Sequence, residues 1–404
     1  MTGTPPFPAR VDVAVLGAGV AGAAAAAGIL HHRPDLRVLL IDKRSWPRDK
    51  VCGGCLNPAG VALARQLGVH FDQPGTSHAS PAARALPVDE VQITCRGRVR
   101  RFAHPGGLAI DRADFDDRLV RLAESRGAQF ISGVRGAVLG NRGQAWRLSV
   151  ASPAATHELL ARWVIVADGL DGKCLEPLGS PGFKPTIHPR SRFGLGARLP
   201  AEGPPTRRID MFVGRAGYVG LVDLPGRVRA VAAALDPERT RRAGGPRAAI
   251  ATTMQEAGSP IDADALTSLR GTPRLTRRLA RVSAPGLFVV GDAAGYTEPF
   301  SGEGMTWSLA GASTVASLIA DAPAQPSLAD LELLADRWSG FQHRAIRPRQ
   351  RWSRFVQRGV RRPALLSLAM RGPPALTRSA IESWVRRSAR PYPTPFHSKA
   401  AGAP

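Results

Sequence analysis

The stretch Val11-Asp12-Val13-Ala14-Val15-Leu16-Gly17-Ala18-Gly19-Val20-Ala21-Gly22-Ala23-Ala24-Ala25-Ala26-Ala27 decides the fold. Its apolar start reads as a buried strand, its glycines as a tight turn and its alanines as a helix. In such a unit Gly17 permits the turn, Gly19 lets a phosphate approach the backbone, and Gly22 lets helix and strand pack closely. Val20 and Ala21 then open the helix with free N–H groups and a positive dipole end, which suits a pyrophosphate. A second strand, Arg37 to Ile41, ends at Asp42, where a carboxylate would accept hydrogen bonds from ribose hydroxyls. A membrane span is the rival reading of Val11 to Leu30. Four glycines, Asp12 and a run of alanines fit a strand, turn and helix better.

Two more glycine-marked segments follow far along the chain. One is Val164-Ile-Val-Ala-Asp168-Gly169. The other is Leu287-Phe-Val-Val-Gly291-Asp292-Ala-Ala-Gly295, continued by Pro299-Phe-Ser-Gly302-Glu-Gly304-Met305. Each alone is a weak signal. In this order and spacing the three point to flavin adenine dinucleotide (FAD).

At 404 residues with 44% hydrophobic residues and a mean hydropathy of -0.11, the chain has the composition of a soluble globular protein. Met1 to Arg10 is proline-rich and unlike a secretion signal, and four cysteines suit a reducing compartment, so a cytoplasmic location is expected. The formal net charge is +23. An arginine excess spread over the chain reflects composition alone, but residues 337–404 hold 15 basic residues against Glu382, a net +14. Within this segment Ala364 to Met370 lies between Arg361-Arg362 and Arg371, and Ile381 and Trp384 precede Arg386-Arg387. Such interleaving suits peripheral contact with an anionic membrane, or else helices that cover the protein's own core with arginines outside. No stacking motif for nucleic acid accompanies the charge.

Hydrophobic periodicity places helices over Pro58 to Leu67, Asp111 to Gly127 and Ser301 to Ile319, with Pro348, Pro363 and Pro373 breaking a helical C-terminus. It places a strand pair over Asp89 to Phe102, turned at Gly97. Further strands follow over Ala128 to Leu139, Ala145 to Val150, Glu158 to Ala167, Tyr218 to Leu224 and Val228 to Leu235. The expected fold is α/β. A discontinuous Rossmann-type FAD-binding domain (residues 1–75, 104–180 and 280–330) carries an inserted, mostly antiparallel substrate sheet (76–103 and 181–279) and a basic helical C-terminal segment (331–404).

With Lys50-Val-Cys52-Gly-Gly-Cys55-Leu56 and Asp111-Arg112-Ala-Asp114-Phe115-Asp116 added to these motifs, the chain resembles a large flavoprotein family. That family contains geranylgeranyl reductases, flavin-dependent aromatic hydroxylases and flavin-dependent halogenases. The likeness runs from about Val11 to about Ala320 and is strongest to the geranylgeranyl reductase-like branch. It implies extended FAD with its ring at the domain interface. It implies Asp42 at the adenosine ribose, Arg112 near the ribityl-diphosphate, and the backbone near Val134 at the adenine. Asp168 and Gly291 fall in the Asp-Gly and Gly-Asp motifs, Asp292 would bind a ribityl hydroxyl, and Gly302, Gly304 and Met305 would lie beside the flavin ring. The halogenase motif Trp-x-Trp-x-Ile-Pro is absent. The reductases' Tyr-x-Trp-x-Phe-Pro is only partly met, by Gly217-Tyr218-Val219-Gly220-Leu221.

The resemblance implies an FAD-dependent oxidoreductase with hydride transfer at flavin N5, acting on a hydrophobic isoprenoid or polyketide-like molecule. A monooxygenase, a cyclase that keeps its flavin reduced, and a non-catalytic flavin-binding membrane-surface or regulatory protein are the alternatives. Cys52 and Tyr218 are the candidate catalytic residues. Cys52 and Cys55 also have the spacing of a redox dithiol or half a zinc site, but no second pair accompanies them and no metal is expected. A second Gly-x-Gly-x-x-Gly unit is lacking too, so NAD(P)H is expected only as a transient electron donor.

Overall fold

The computed structural model describes residues 7–72, 83–298, 300, 302–372, 390 and 392. The strand Arg10–Leu16 lies in the middle of a largely parallel sheet, between Val38–Asp42 and Thr156–Val166. Gln129–Ser132 extends the sheet on one side, and Leu287–Val289 with Ser283–Ala284 on the other. Both faces of these strands are covered, which is why their sequences are continuous apolar runs rather than alternating ones. Arg135–Arg142 and Ala145–Ala151 pair antiparallel beside Thr156–Val166.

The alanine-rich helix Val20–His32 is buried along Val20 to Leu30. Its small side chains let it lie close against the equally buried helix Gly304–Ala320, and the two share one core with the sheet. The three glycine-marked segments each follow a neighbouring parallel strand. Sheet topology therefore brings residues 17, 168 and 292 to the same carboxyl edge, where open α/β sheets bind ligands.

The second sheet runs in the order Thr267–Arg274, Phe193–Pro200, Val228–Leu235, Gly217–Leu224, Arg208–Val213, Ala83–Cys95, Arg98–Ile110 and Cys55–Leu56. On the strands Arg208–Val213 and Gly217–Leu224 neighbouring residues face opposite sides. Phe212 and Val219 meet the helix Pro246–Ala257, while Met211, Val213 and Tyr218 face the other way.

Several expectations need correction. The boundary expected at residue 104 falls inside the strand Arg98–Ile110, which belongs wholly to the second sheet. The helix expected from Ser301 begins at Gly304. The helices Pro237–Arg242 and Pro246–Ala257 were not anticipated from periodicity. Pro348 does not break the C-terminal helix. The helix Leu328–Phe341 passes through one wide π turn, Gln342–Ile346, into Arg347–Val360, and Pro348 sits in the first turn after it. The sites at Pro299, Ser301, Pro373, Ile381, Trp384 and Arg386-Arg387 lie outside the described residues. Among the described residues no helix is long and apolar enough to cross a membrane.

Candidate cofactor and substrate site

One cavity of about 980 Å³ opens between the two sheets. At one end it is walled by Gly17, Gly19, Val20 and Ala21, and the first hydrogen bond of that helix runs from Ala23 N–H to Gly19 C=O. No side chain caps this helix start, so the amides ahead of that bond meet the cavity. Asp42 is 5% exposed beside them. It accepts the Ala18 amide at 3.0 Å and the Arg44 amide at 2.9 Å, and Arg48 approaches it at 3.4 Å. Val134 lines the same end with its amide already given to the Asp42 carbonyl, which leaves its own carbonyl as the group an adenine could meet.

Gly22 and Gly291 do not line the cavity; they set the spacing behind it. A Cβ on Gly22 would sit 1.8 Å from the Gly17 carbonyl oxygen, and one on Gly291 would sit 2.7 Å from Ala21 Cβ. The first and third motifs are thus in direct contact.

Farther along, Asp168 accepts the Cys174 amide at 2.9 Å through one oxygen, while its other oxygen is buried without a partner among the described residues. Burial raises its pKa, against the opposing effect of the Cys174 amide. Asp292 pairs with Lys50 at 3.2 Å. Gly302, Gly304 and Met305 close this part of the wall, and the first amides of the helix Gly304–Ala320 also lack a side-chain cap. Arg112 lines the cavity, but its guanidinium is held by two hydrogen bonds, of 2.9 and 2.8 Å, to the fully buried Asp116. Its placement beside a diphosphate therefore requires the free edge of the fork, because two of its donors are committed.

Cys52 lies in the cavity wall. Its sulfur accepts the Gly54 amide at 3.4 Å. The Cys55 thiol donates to the Gly53 carbonyl at 3.3 Å, and burial, followed by the neighbouring Cys52, pushes its pKa well up. All four cysteines are free thiols. Among the described residues no group of three His, Cys, Asp or Glu side chains is placed to hold a metal.

The other end of the cavity is apolar, with Val91, Ile209, Met211, Leu275 and Phe300 in its wall. Tyr218 stands there at 3% exposure, edge-on to Phe300 at 5.0 Å, with the Arg192 guanidinium 5.9 Å from its ring centre. Its hydroxyl is buried and has no hydrogen-bond partner among the described residues. Arg192 is tied to the fully buried Glu298 at 2.8 Å, and Arg361 of the C-terminal segment reaches the same carboxylate at 2.8 Å. His104 and Tyr296 complete the wall. Sequence reading missed Lys50 as the partner of Asp292, and it missed Arg48, Tyr296, Phe300 and the Arg192–Glu298 pair. Lys50 carried a usable signal, since it opens the cysteine motif. Phe300 also lay in a motif, the third; the remaining residues carry no signal that precedes the fold.

These features fit an extended dinucleotide: uncapped helix starts at two points, a carboxylate at the end of the second strand, and glycine positions that no side chain can occupy. The FAD binding domain family matches residues 10–325. The chain belongs to that family. FAD is its cofactor.

Menaquinone reductase of Mycobacterium tuberculosis is 33% identical over 184 residues, which span 44% of this chain and only 42% of that protein. Menaquinone reductase of Mycolicibacterium smegmatis is 26% identical over 333 residues, 74% of each chain. Among solved structures, a geranylgeranyl bacteriochlorophyll reductase-like protein from Thermoplasma acidophilum superposes with a TM-score of 0.66 at 16% identity. It covers 97% of this chain and 94% of its own, a likeness of fold. The superfamily expected from the motifs, that of FAD-dependent oxidoreductases, is the one found.

Proposed function

We propose that the protein exchanges a hydride, together with a proton from or to solvent, with a carbon–carbon bond of a lipophilic, isoprenoid-bearing molecule, with a quinone of the menaquinone type as the first candidate. One observation carries this reading. The cavity that holds the dinucleotide cradle continues into an apolar chamber whose wall carries the Tyr218 hydroxyl, which has no hydrogen-bond partner among the described residues. The matches to two mycobacterial menaquinone reductases support the choice of substrate class.

Bound FAD supplies the hydride chemistry; the protein positions the reactants. The uncapped amides of Gly304 and Met305 would stabilise negative charge on a ring placed beside them. Val91, Ile209, Met211 and Phe300 take up apolar substrate surface and exclude water. The Tyr218 hydroxyl donates to a polar oxygen of the substrate, and Phe300 and Arg192 fix its ring. Glu298 neutralises Arg192, which keeps that cation from competing for the same oxygen. No second dinucleotide fingerprint occurs in the sequence, so NAD(P)H docking transiently is the electron donor we propose.

The test is anaerobic incubation of chemically reduced FAD-loaded protein with menaquinone, followed by mass spectrometry of the extracted quinone. A product heavier by two hydrogens in the side chain, formed as the flavin reoxidises, is the expected result. A product that gains oxygen in air, or no reoxidation by any isoprenoid quinone, contradicts the proposal.

A further inference from the structure

The C-terminal helices Arg347–Val360 and Pro363–Ala369 have an inner and an outer face of different character. Inward, Val356, Val360, Leu366 and Met370 pack in the apolar cluster that contains Tyr218 and Phe300 of the cavity wall. These helices therefore form the outside of the substrate chamber.

Outward, Phe355 is 60% exposed, Leu365 54% and Leu368 57%. Arg351, Arg354, Arg358 and Arg362 are exposed as well. On the first of these helices, positions 351, 354, 355 and 358 fall on one side. From Arg337 to Gly372 the sequence holds ten arginines and no acidic residue. None of the four exposed arginines forms an ion pair among the described residues. A water-facing helix does not need three exposed large apolar side chains, and a purely electrostatic partner would leave them in water.

We propose that this outer face docks on an anionic lipid bilayer, with its arginines at headgroup phosphates and Phe355, Leu365 and Leu368 among the acyl chains. Charge complementarity and the interleaved apolar residues select this occupant, since a helix lying in the membrane interface needs both. Docking would bring the chamber to the surface in which a lipophilic substrate dissolves. That consequence rests on the proposed function; the docking does not.

Co-sedimentation of the FAD-loaded full chain with phosphatidylcholine vesicles, with and without phosphatidylglycerol, tests the proposal. The protein should pellet only with phosphatidylglycerol present and should be released at high salt. The triple variant Arg351→Gln, Arg354→Gln, Arg358→Gln should lower partitioning about 100-fold, given the contribution of each cation near such a surface. The variant Phe355→Ser, Leu365→Ser, Leu368→Ser should also bind less. Both should keep the parent's flavin spectrum and melting temperature, because the altered side chains are exposed. Failure to pellet, equal pelleting with neutral vesicles, or unchanged binding by both variants would overturn the proposal. A face covered by residues 373–389 or by an acidic protein gives the first of these results.

Discussion

The ammonium of Lys50 lies 3.2 Å from a carboxylate oxygen of Asp292, joining residues 242 positions apart across the cavity. Lys50 introduces the cysteine loop and Asp292 lies within the third glycine motif, so this pair fixes the loop against the cofactor cradle. Replacing Asp292 with Ala removes a charged acceptor and leaves Lys50 unpaired. FAD affinity should fall by about 1.5–3 kcal/mol, roughly 10- to 150-fold, in a fluorescence titration of the apoprotein. Unchanged affinity would remove Asp292 from the cofactor site.

Gly22 tests the first motif as architecture rather than as a ligand. Its missing Cβ would stand 1.8 Å from the Gly17 carbonyl oxygen, a backbone atom that no side-chain rotation can move. Gly22→Ala should cost about 3 kcal/mol or more through overpacking. It should be read as a lowered melting temperature together with lost FAD. A variant that melts like the parent would mean that helix and turn lie farther apart than the 1.8 Å approach requires.

Tyr218→Phe separates a functional hydroxyl from a structural one. The hydroxyl has no partner among the described residues, so its removal should leave the melting temperature equal or slightly higher. The rate of flavin reoxidation by substrate should fall about 10-fold or more, with FAD still bound. A stable variant with parental kinetics would leave Tyr218 as a packing residue.

His104 gives a pH signature. Burial holds its pKa below the ordinary 6.5. The unfolded chain then binds a proton more readily than the folded one, and stability falls as pH drops from about 6.5 through the folded value. His104→Gln should flatten that part of the profile of melting temperature against pH. An unchanged acid limb would assign it to other groups.

The cofactor half of the fold was legible because its signals are local. The run from Val11 to Ala27 names a strand, a turn and a helix, and each later motif repeats a strand ended by glycine. The roles of individual residues were less accessible. Gly22 reads as a packing residue in the sequence and is one in the structure, whereas Gly291 falls in a cofactor motif and proves to be a spacer, because only the packed fold shows how closely Ala21 approaches it. The Arg192–Glu298–Arg361 cluster joins three segments with no motif among them, and burial alone makes it important. Pro348 misled for a related reason. Proline predicts a break from local chemistry, whereas packing of Trp338, Phe341 and Ile346 into the core is compatible with a single widened turn.

The central claim is that the three glycine motifs form one FAD site, and the most direct measurement is the identity of the cofactor released from purified protein. Purified protein should be yellow, with a flavin absorbance spectrum. Denaturation should release FAD, identified by chromatography against FAD and FMN standards, in about equimolar amount. Colourless protein that cannot be reconstituted with FAD, or release of FMN instead, would contradict it.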